Sequence, residues 1–271
     1  RLDNLRQLRA NFNYPLMQLR TPMLSEAGHT AAYSQVSACT QIEAARLINQ
    51  VCGKKGITHS VMVMLDTDDQ REGLLPYQVL PFCRQLVELE NIKVMGLGTN
   101  ARCISSKKPS YESLSAMVEL KHRIYRELGI AIPVLSGGNS SLLDQVFGSG
   151  LPEGINQLRI GEAILLGHET LNYSTLEGAH RDCFTLEAEI IEVKENPRKA
   201  IVALGLQDAD AANLKPAPGM EIVGQSSDHT VFESRGELLF AMGHKITFNI
   251  NYFSLLSTMT SPFVYKNFIG Q

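Results

Sequence analysis

The first 167 residues alternate between short apolar runs and longer amphipathic stretches. The runs are rich in Val, Ile and Leu and end at Thr, Asp, Gly or Ser; they are NYPLMQLR, YSQVSAC, HSVMVMLD, IKVMGLGT, IAIPVLSGG and NQLRIG. The stretches between them, such as TQIEAARLINQVCGKKG, place apolar residues at helical spacing and stop at a glycine. This alternation predicts repeated βα units, with a parallel sheet and helices outside it.

From residue 183 onward, the pattern becomes the polar and apolar alternation of half-buried strands. The segments are CFTLEAEIIEVKENP, RKAIVALGLQD, GMEIVGQSSDHTVFES and HKITFNINYFSLLSTM, with Gly, Pro and Asn between them. The sequence therefore predicts two domains, an α/β domain over residues 1–182 and a small β domain over residues 183–271.

Six strands are an awkward number for the α/β domain, because a closed (β/α)8 barrel has eight and an open sheet would leave buried-type strands at its edges. The opening segment RLDNLRQLRA predicts a helix with no strand before it. Either the sheet is open, or the chain is a barrel that lacks its first units. The opening helix favours the second alternative, and we expect the missing units upstream of Arg1.

Charge, hydropathy and cysteine spacing argue against several classes of partner and site. The formal net charge of −3 comes without a basic stripe, which argues against nucleic acid as a partner. No apolar run reaches membrane-spanning length and the opening segment is no signal peptide, so we expect no membrane partner and a cytoplasmic location. The five cysteines show no CxxC pair, and their odd number favours free, reduced thiols over zinc or disulfides.

Two consecutive strand ends carry residues suited to anion binding. After the strand in PVLSGGNSSLL, Gly137 and Gly138 let the backbone approach a ligand, and Asn139, Ser140 and Ser141 offer donors at a helix start. The alternative is an ordinary helix cap after a glycine turn.

The next strand end repeats the arrangement. In INQLRIGEAILLG, Arg159 ends the run, and Gly161 and Glu162 begin another helix. In a parallel barrel, both loops lie on the carboxyl face, where phosphate is often held by backbone amides after the last strands. An ion pair of Arg159 with a nearby acid such as Glu162 is the alternative.

Several segments together resemble the ornithine-racemase-like branch of the alanine racemase family. They are LSGGNSSLL, INQLRIGEAILLG, LDTDDQREG, GLGTN, SSDH and NYFSLL...MTSP, and they occur in family order over essentially the whole chain. The resemblance implies a pyridoxal-phosphate enzyme of fold type III, with a (β/α)8 barrel followed by a β domain. It also implies a homodimer acting on a small-molecule amino-acid substrate.

The resemblance implies roles for particular residues of the barrel. Asn139, Ser140 and Ser141 would form the phosphate-binding loop, with Ser140 the strongest candidate for a direct contact. Arg159 would meet the pyridine nitrogen of the cofactor. Arg71 would lie near the cofactor's phenolic oxygen and the substrate carboxylate.

Further roles are implied around the β domain. Gly161 and Glu162 would present backbone amides to the phosphate, and the Tyr252 hydroxyl would reach it from the β domain. Ser227 and Asp228 would belong to a loop that the partner subunit lends to the site.

The chain departs from the family pattern at the groups that move protons. The Schiff-base lysine of the family lies on the first barrel strand, which we expect upstream of Arg1. Leu206 stands where the family has its partner-subunit tyrosine, and Asn100 replaces a histidine beside the pyridine-binding arginine. The second base is therefore open, with Asp208, Asp228 and His229 as candidates. A hydrogen-bonded loop histidine is the alternative for His229.

The sequence thus predicts a pyridoxal-phosphate-dependent amino-acid racemase acting on ornithine, lysine or alanine. The alternatives are a non-catalytic pyridoxal-phosphate-binding protein, a bare barrel scaffold, and a fold-type III decarboxylase or aldolase. Asp68 and Asp69 could receive the side-chain ammonium of a basic substrate, or could be solvated residues or partners of Arg71. A longer loop in relatives between the first two β-domain strands suggests a gap at Pro197 and Arg198.

Overall fold

The computed structural model describes residues 1–67, 69–195, 198–234 and 241–270. The chain divides into two compact units. The first unit comprises Arg1–Gly161 and Glu169–Ser174, and the second comprises Glu162–His168 and Thr175–Gln271.

The first unit is built on a five-stranded parallel sheet with the strand order β1-β2-β3-β4-β5. Its strands are β1 (Met17–Gln18), β2 (Val36–Cys39), β3 (His59–Leu65), β4 (Ile92–Thr99) and β5 (Val134–Ser136). Its helices are α1 (Leu2–Asn11), α2 (Ala27–Tyr33), α3 (Ile42–Lys55), α4 (Pro76–Val87), α5 (Tyr111–Leu128) and α6 (Leu143–Phe147), with 3-10 turns at Leu24–Glu26 and Ser140–Leu142. Strand order equal to chain order, with a helix between successive strands, is the arrangement of a (β/α) barrel segment.

Local sequence explains why these elements form. All residues of β3 except Ser60 are buried, as expected for a strand covered on both faces. Helix α5 begins at Ser110, whose hydroxyl accepts the Ser113 N–H, and ends at Gly129, whose φ of 68° suits glycine. Helices α3, α4 and α5 bury their apolar faces in one core cluster with β3 and β4. This core fixes the carboxyl ends of the strands, where the predicted site residues lie.

The predicted sixth strand of the first unit is present only as an isolated bridge between Gln157 and Ser136. The Asn156 side chain explains why the ladder is short, because its Oδ1 accepts the Leu135 N–H at 2.9 Å in place of a backbone carbonyl. The Arg159 N–H still donates to the Gly138 carbonyl at 2.9 Å. The backbone of Arg159 is therefore tied to the glycine turn that follows β5.

The second unit is an antiparallel sheet of six strands in the order β8-β11-β6-β7-β10-β9. The strands are β6 (Thr185–Glu195), β7 (Arg198–Val202), β8 (Leu214–Lys215), β9 (Met220–Gln225), β10 (Thr230–Ser234) and β11 (Lys245–Ile250). The helices are α7 (Glu162–Leu166) and α8 (Tyr252–Thr260), with a 3-10 turn at Ala211–Asn213. Every second residue of β6 is buried from Leu186 to Ile190, and Phe232 packs on Phe248 at 5.4 Å in the core. The predicted β domain is confirmed.

One predicted strand continuation is wrong. Alternation in β11 stops at Asn251, and α8 follows over Tyr252–Thr260. The Asn251 side chain accepts the N–H groups of Phe253 and Ser254, which is the hydrogen bonding of a helix N-cap. The asparagine that separates the two patterns is therefore the signal for a helix start.

In the part of the chain that the structure describes, no helix is long and apolar enough to cross a membrane. Asp68 and the segment 196–197, which carries the predicted loop gap, lie outside the described residues.

Candidate active site

Arg159 is positioned by the ends of two neighbouring strands. Its Nη1 donates to the Ser136 hydroxyl, and its Nη2 donates to the Thr99 carbonyl at 2.6 Å. Both acceptors are neutral, and the alternative partner Glu162 instead contacts His168 Nε2 at 3.1 Å. Burial lowers the pKa of Arg159, although an arginine stays protonated at neutral pH. The site thus holds a permanent cation between the ends of β4 and β5.

Gly98 makes room for this guanidinium. A Cβ at Gly98 would lie 3.4 Å from Arg159 Nη1 and 3.0 Å from the sulfur atoms of Met62 and Met64. Glycine is therefore required in β4 by close approach rather than by backbone conformation.

Arg71 lies in the loop after β3 and forms a two-pronged ion pair with its neighbour. Its Nε donates to Glu72 Oε2, and its Nη2 donates to Glu72 Oε1 at 2.5 Å. Burial acts to lower the pKa of Arg71, but the hydrogen bond to Glu72 and the nearby Cys103 outweigh it and raise the pKa overall. The ion pair also acts on Arg159. Arg71 acts to lower the pKa of Arg159, and Glu72 acts to raise it.

Asp69 joins the loop after β3 to the loop after β4. Its Oδ1 accepts the N–H groups of Ile104 and Ser105 at 3.1 and 2.8 Å, and its Oδ2 lies 4.0 Å from Arg71 Nε. Burial acts to raise the pKa of Asp69, but these backbone donors lower it overall. The Asp69 side chain is only 4% exposed, so it is an anchor of the loop and a partner of Arg71.

The predicted phosphate loop follows β5. Asn139 Oδ1 accepts the Ser141 N–H at 2.9 Å, and Asn139 Nδ2 donates to Asn100 Oδ1 and to the Ala101 carbonyl. The Asn139 side chain is thus engaged in holding two loops together. Ser140 and Ser141 are both buried, and Ser141 Oγ has no hydrogen-bond partner among the described residues. An orphaned buried hydroxyl of this kind fits a ligand contact.

Cys103 is a site residue that the sequence reasoning missed. Asn100 Nδ2 donates to its Sγ at 2.9 Å, and Cys103 acts to raise the pKa of both Arg71 and Arg159. Its thiol is exposed, whereas burial raises the pKa of Cys39 and Cys83 to about 12. Its position three residues after Asn100, just beyond the end of β4, is the sequence signal for this placement, because cysteine spacing alone bears only on metal and disulfide sites.

The structure therefore brings four predicted loops of the first unit together. The Thr67 and Thr99 hydroxyls, 2.7 Å apart, join the ends of β3 and β4. Asn139 joins the ends of β4 and β5, and Arg159 reaches back to both. Gly161 ends this unit, and a Cβ there would meet no described atom within 4 Å.

The predicted residues of the second unit lie at a turn and at a helix start. Ser227, Asp228 and His229 form the turn between β9 and β10. Asp228 accepts from Gln207 Nε2 at 3.0 Å and from the Ser227 hydroxyl at 2.8 Å. Tyr252 is the first residue of α8 and is partly exposed. The convergence of Ser140 and Tyr252 on one phosphate stays a prediction.

Asp208 is also engaged within its own unit. Its two oxygens accept from the Gly205 N–H and the Ser261 hydroxyl, each at 3.2 Å. The exposed Leu206 lies beside it, at the position where the resemblance implies a tyrosine.

Polar and cationic side chains gather at the carboxyl ends of parallel strands, which is where (β/α) barrels carry their active sites. The comparisons agree, since residues 1–170 match the alanine racemase N-terminal domain family. The chain belongs to this family.

Two curated relatives are similar to this chain over nearly its whole length. An ornithine racemase of Acetoanaerobium sticklandii is 31% identical over 296 residues, covering 99% of this chain and 84% of the relative. A lysine racemase of Thermotoga maritima is 31% identical over 287 residues, covering 97% of this chain and 80% of the relative. The similarity therefore extends through both units.

Solved structures confirm the fold. An alanine racemase of Clostridium difficile 630 in complex with cycloserine has a TM-score of 0.70 at 20% identity, covering 94% of this chain and 71% of that one. The D-threo-3-hydroxyaspartate dehydratase of Delftia sp. HT23 has a TM-score of 0.71 at 17% identity, with 95% and 76% coverage. The predicted fold class, a (β/α) barrel followed by a β domain, is confirmed.

Proposed function

We propose that the protein racemises a free amino acid with a basic side chain, ornithine or lysine, with pyridoxal 5'-phosphate as cofactor. The family and the two curated relatives support an amino-acid racemase, which is an isomerase. The names of those relatives support a basic substrate over alanine.

The observation that carries the cofactor assignment is the setting of Arg159. Arginine has five N–H donors, and the bonds to Ser136 and Thr99 use two of them. A fixed, protonated donor suits an aromatic nitrogen that accepts a hydrogen bond without receiving a proton. The orphaned Ser141 hydroxyl and the open space at Gly161 also fit a bound phosphate.

In this proposal the cofactor phosphate is held by Ser140, Ser141, the backbone N–H groups of Gly161 and Glu162, and the Tyr252 hydroxyl. Asn139 positions the loop through its bonds to Asn100 and Ala101. When bound, pyridoxal phosphate supplies the electron withdrawal that makes the substrate α-proton removable.

Arg71 is proposed to hold the substrate carboxylate, because a guanidinium binds a carboxylate through two parallel hydrogen bonds. Asp228 and His229 remain our candidates for a second proton carrier. Each would act from the partner subunit of a homodimer, which we propose together with a cytoplasmic location. We also retain the division into a cofactor-binding barrel domain, residues 1–182, and a β domain, residues 183–271.

A substrate panel tests the proposal. The intact gene product, loaded with pyridoxal phosphate, is incubated with the L-forms of ornithine, lysine, alanine and serine, and enantiomers are separated by chiral chromatography. Ornithine or lysine should racemise with the highest kcat/KM. Cofactor binding without racemisation would support the non-catalytic alternative, and alanine as the best substrate would refute the basic-substrate proposal.

A further inference from the structure

Glu72 already occupies one of the edges of the Arg71 guanidinium that suit a carboxylate, the edge formed by Nε and Nη2. Glu72 approaches the guanidinium with both oxygens, one on Nε and one on Nη2. This pairing has the bidentate form in which arginine binds free carboxylates. Glu72 therefore occupies Arg71 as a substrate carboxylate would.

The inference rests on the proposed function, in which Arg71 holds the substrate carboxylate. When that carboxylate takes the Nε and Nη2 edge, substrate and Glu72 compete for the same donors. Exchange is feasible because the pair is accessible, with the Arg71 side chain 34% and the Glu72 side chain 42% exposed. Ion pairs at such exposure are weak and are easily exchanged.

The exchange would leave the Glu72 carboxylate without its arginine beside an arriving ligand. Asp69 cannot turn to take over either role, because its side chain is 4% exposed and its Oδ1 is bonded to the loop after β4. Glu72, by contrast, is exposed and follows Arg71 directly in the chain. The released carboxylate is thus a mobile anion at the site.

We propose that Glu72 is a specificity-determining residue, which leaves Arg71 when the substrate carboxylate binds and then pairs with the side-chain ammonium of the same substrate. A diamino acid restores both ion pairs, because it brings one carboxylate and one extra ammonium. Alanine restores only one, so Glu72 disfavours it. Glu72 thereby selects against substrates without a basic side chain as well as for those that have one.

The test compares Glu72→Gln with Glu90→Gln in the intact, cofactor-loaded protein. Glu90 is an exposed carboxylate just before β4, at the opposite end of that strand from the site, and serves as the matched control. The ratio of kcat/KM for ornithine to that for alanine should fall by about tenfold to a hundredfold in Glu72→Gln, the factor for one charged hydrogen bond. The KM for alanine should fall, because its carboxylate no longer competes with Glu72. Glu90→Gln should leave the ratio unchanged.

A ligand-binding experiment tests the role of Glu72 without depending on turnover. Calorimetry compares pentanoate with 5-guanidinopentanoate, which carries a terminal cation that does not condense with the cofactor. The wild-type protein should prefer the cationic ligand, and Glu72→Gln should lose most of this preference. An unchanged preference, or a kcat/KM ratio that does not shift in Glu72→Gln, would overturn the assignment. Absence of racemisation in the wild type would overturn the proposed function. The binding comparison would still test whether Glu72 binds the terminal cation of a ligand.

Discussion

Replacing Asp69 tests how the loop after β4 is held against the loop after β3. Its Oδ1 accepts two backbone N–H groups, from Ile104 and Ser105, and its side chain is 4% exposed. Asp69→Ala removes this one acceptor and leaves two N–H groups without their partner. Asp69→Asn keeps an amide oxygen that can accept both, but without the charge.

The expected magnitudes follow from these bonds. A hydrogen bond to a charged group contributes about 1.5–3 kcal/mol, so Asp69→Ala should lower the free energy of unfolding by about 3–4 kcal/mol, allowing for non-additivity. Asp69→Asn should cost about 1–2 kcal/mol, because neutral hydrogen bonds are weaker. Backbone donors lower the pKa of Asp69 below its usual 3.8, so its stabilisation is present above that pH and is lost as pH falls through the lowered folded value.

Urea unfolding at neutral pH measures these losses, with the m-value expected to stay constant. Asp66→Ala is the control, because Asp66 accepts a single N–H, from Gln70, at 2.9 Å. Amide hydrogen exchange should accelerate at Ile104 and Ser105 in Asp69→Ala. Equal destabilisation by Asp66→Ala and Asp69→Ala, without faster exchange at those two amides, would refute the anchoring role.

Three other predictions concern the core and the cofactor contacts. Burial lowers the pKa of His59 to about 4, so the free energy of unfolding should fall by up to about 3 kcal/mol as pH drops from 6.5 to 4; a His59→Gln variant that keeps this slope in urea titrations would contradict it. Gly98→Ala should displace the Met62 and Met64 sulfur atoms that lie beside Arg159, at a cost of about 1 kcal/mol in the free energy of unfolding, and weaken pyridoxal phosphate binding; unchanged cofactor titration would contradict it. Tyr252→Phe should weaken cofactor retention by about 1 kcal/mol, and identical dissociation from wild type and variant would refute its phosphate contact.

Much of the fold could be predicted because local pattern and burial agree. The continuous apolar run of β3 and the strict alternation of β6 each match one environment, a covered strand and a half-exposed one. The predictions failed where a single polar side chain decides the backbone. Asn156 replaces a ladder partner of β5, and Asn251 caps α8 where alternation would have continued a strand.

The candidate site was predictable only in part. Glycines and hydroxyls at strand ends, together with the family resemblance, identified Arg159 and the loop at Ser140. The anchoring role of Asp69 depends on a contact 35 residues away, at Ile104, which no local pattern reveals. The pairing of Arg71 with Glu72 is likewise invisible, because adjacent residues in a sequence give no indication of which side chains meet.

We propose that this chain inverts the α-carbon of a basic amino acid by removing and returning its proton. The most direct test incubates the intact, cofactor-loaded protein with enantiopure L-ornithine in D2O and analyses both enantiomers by chiral separation and mass spectrometry. We expect an equimolar mixture of L- and D-ornithine at equilibrium, with one deuterium at the α-carbon of the D-product. L-ornithine that stays enantiopure and unlabelled, under conditions where the cofactor is bound, would contradict it.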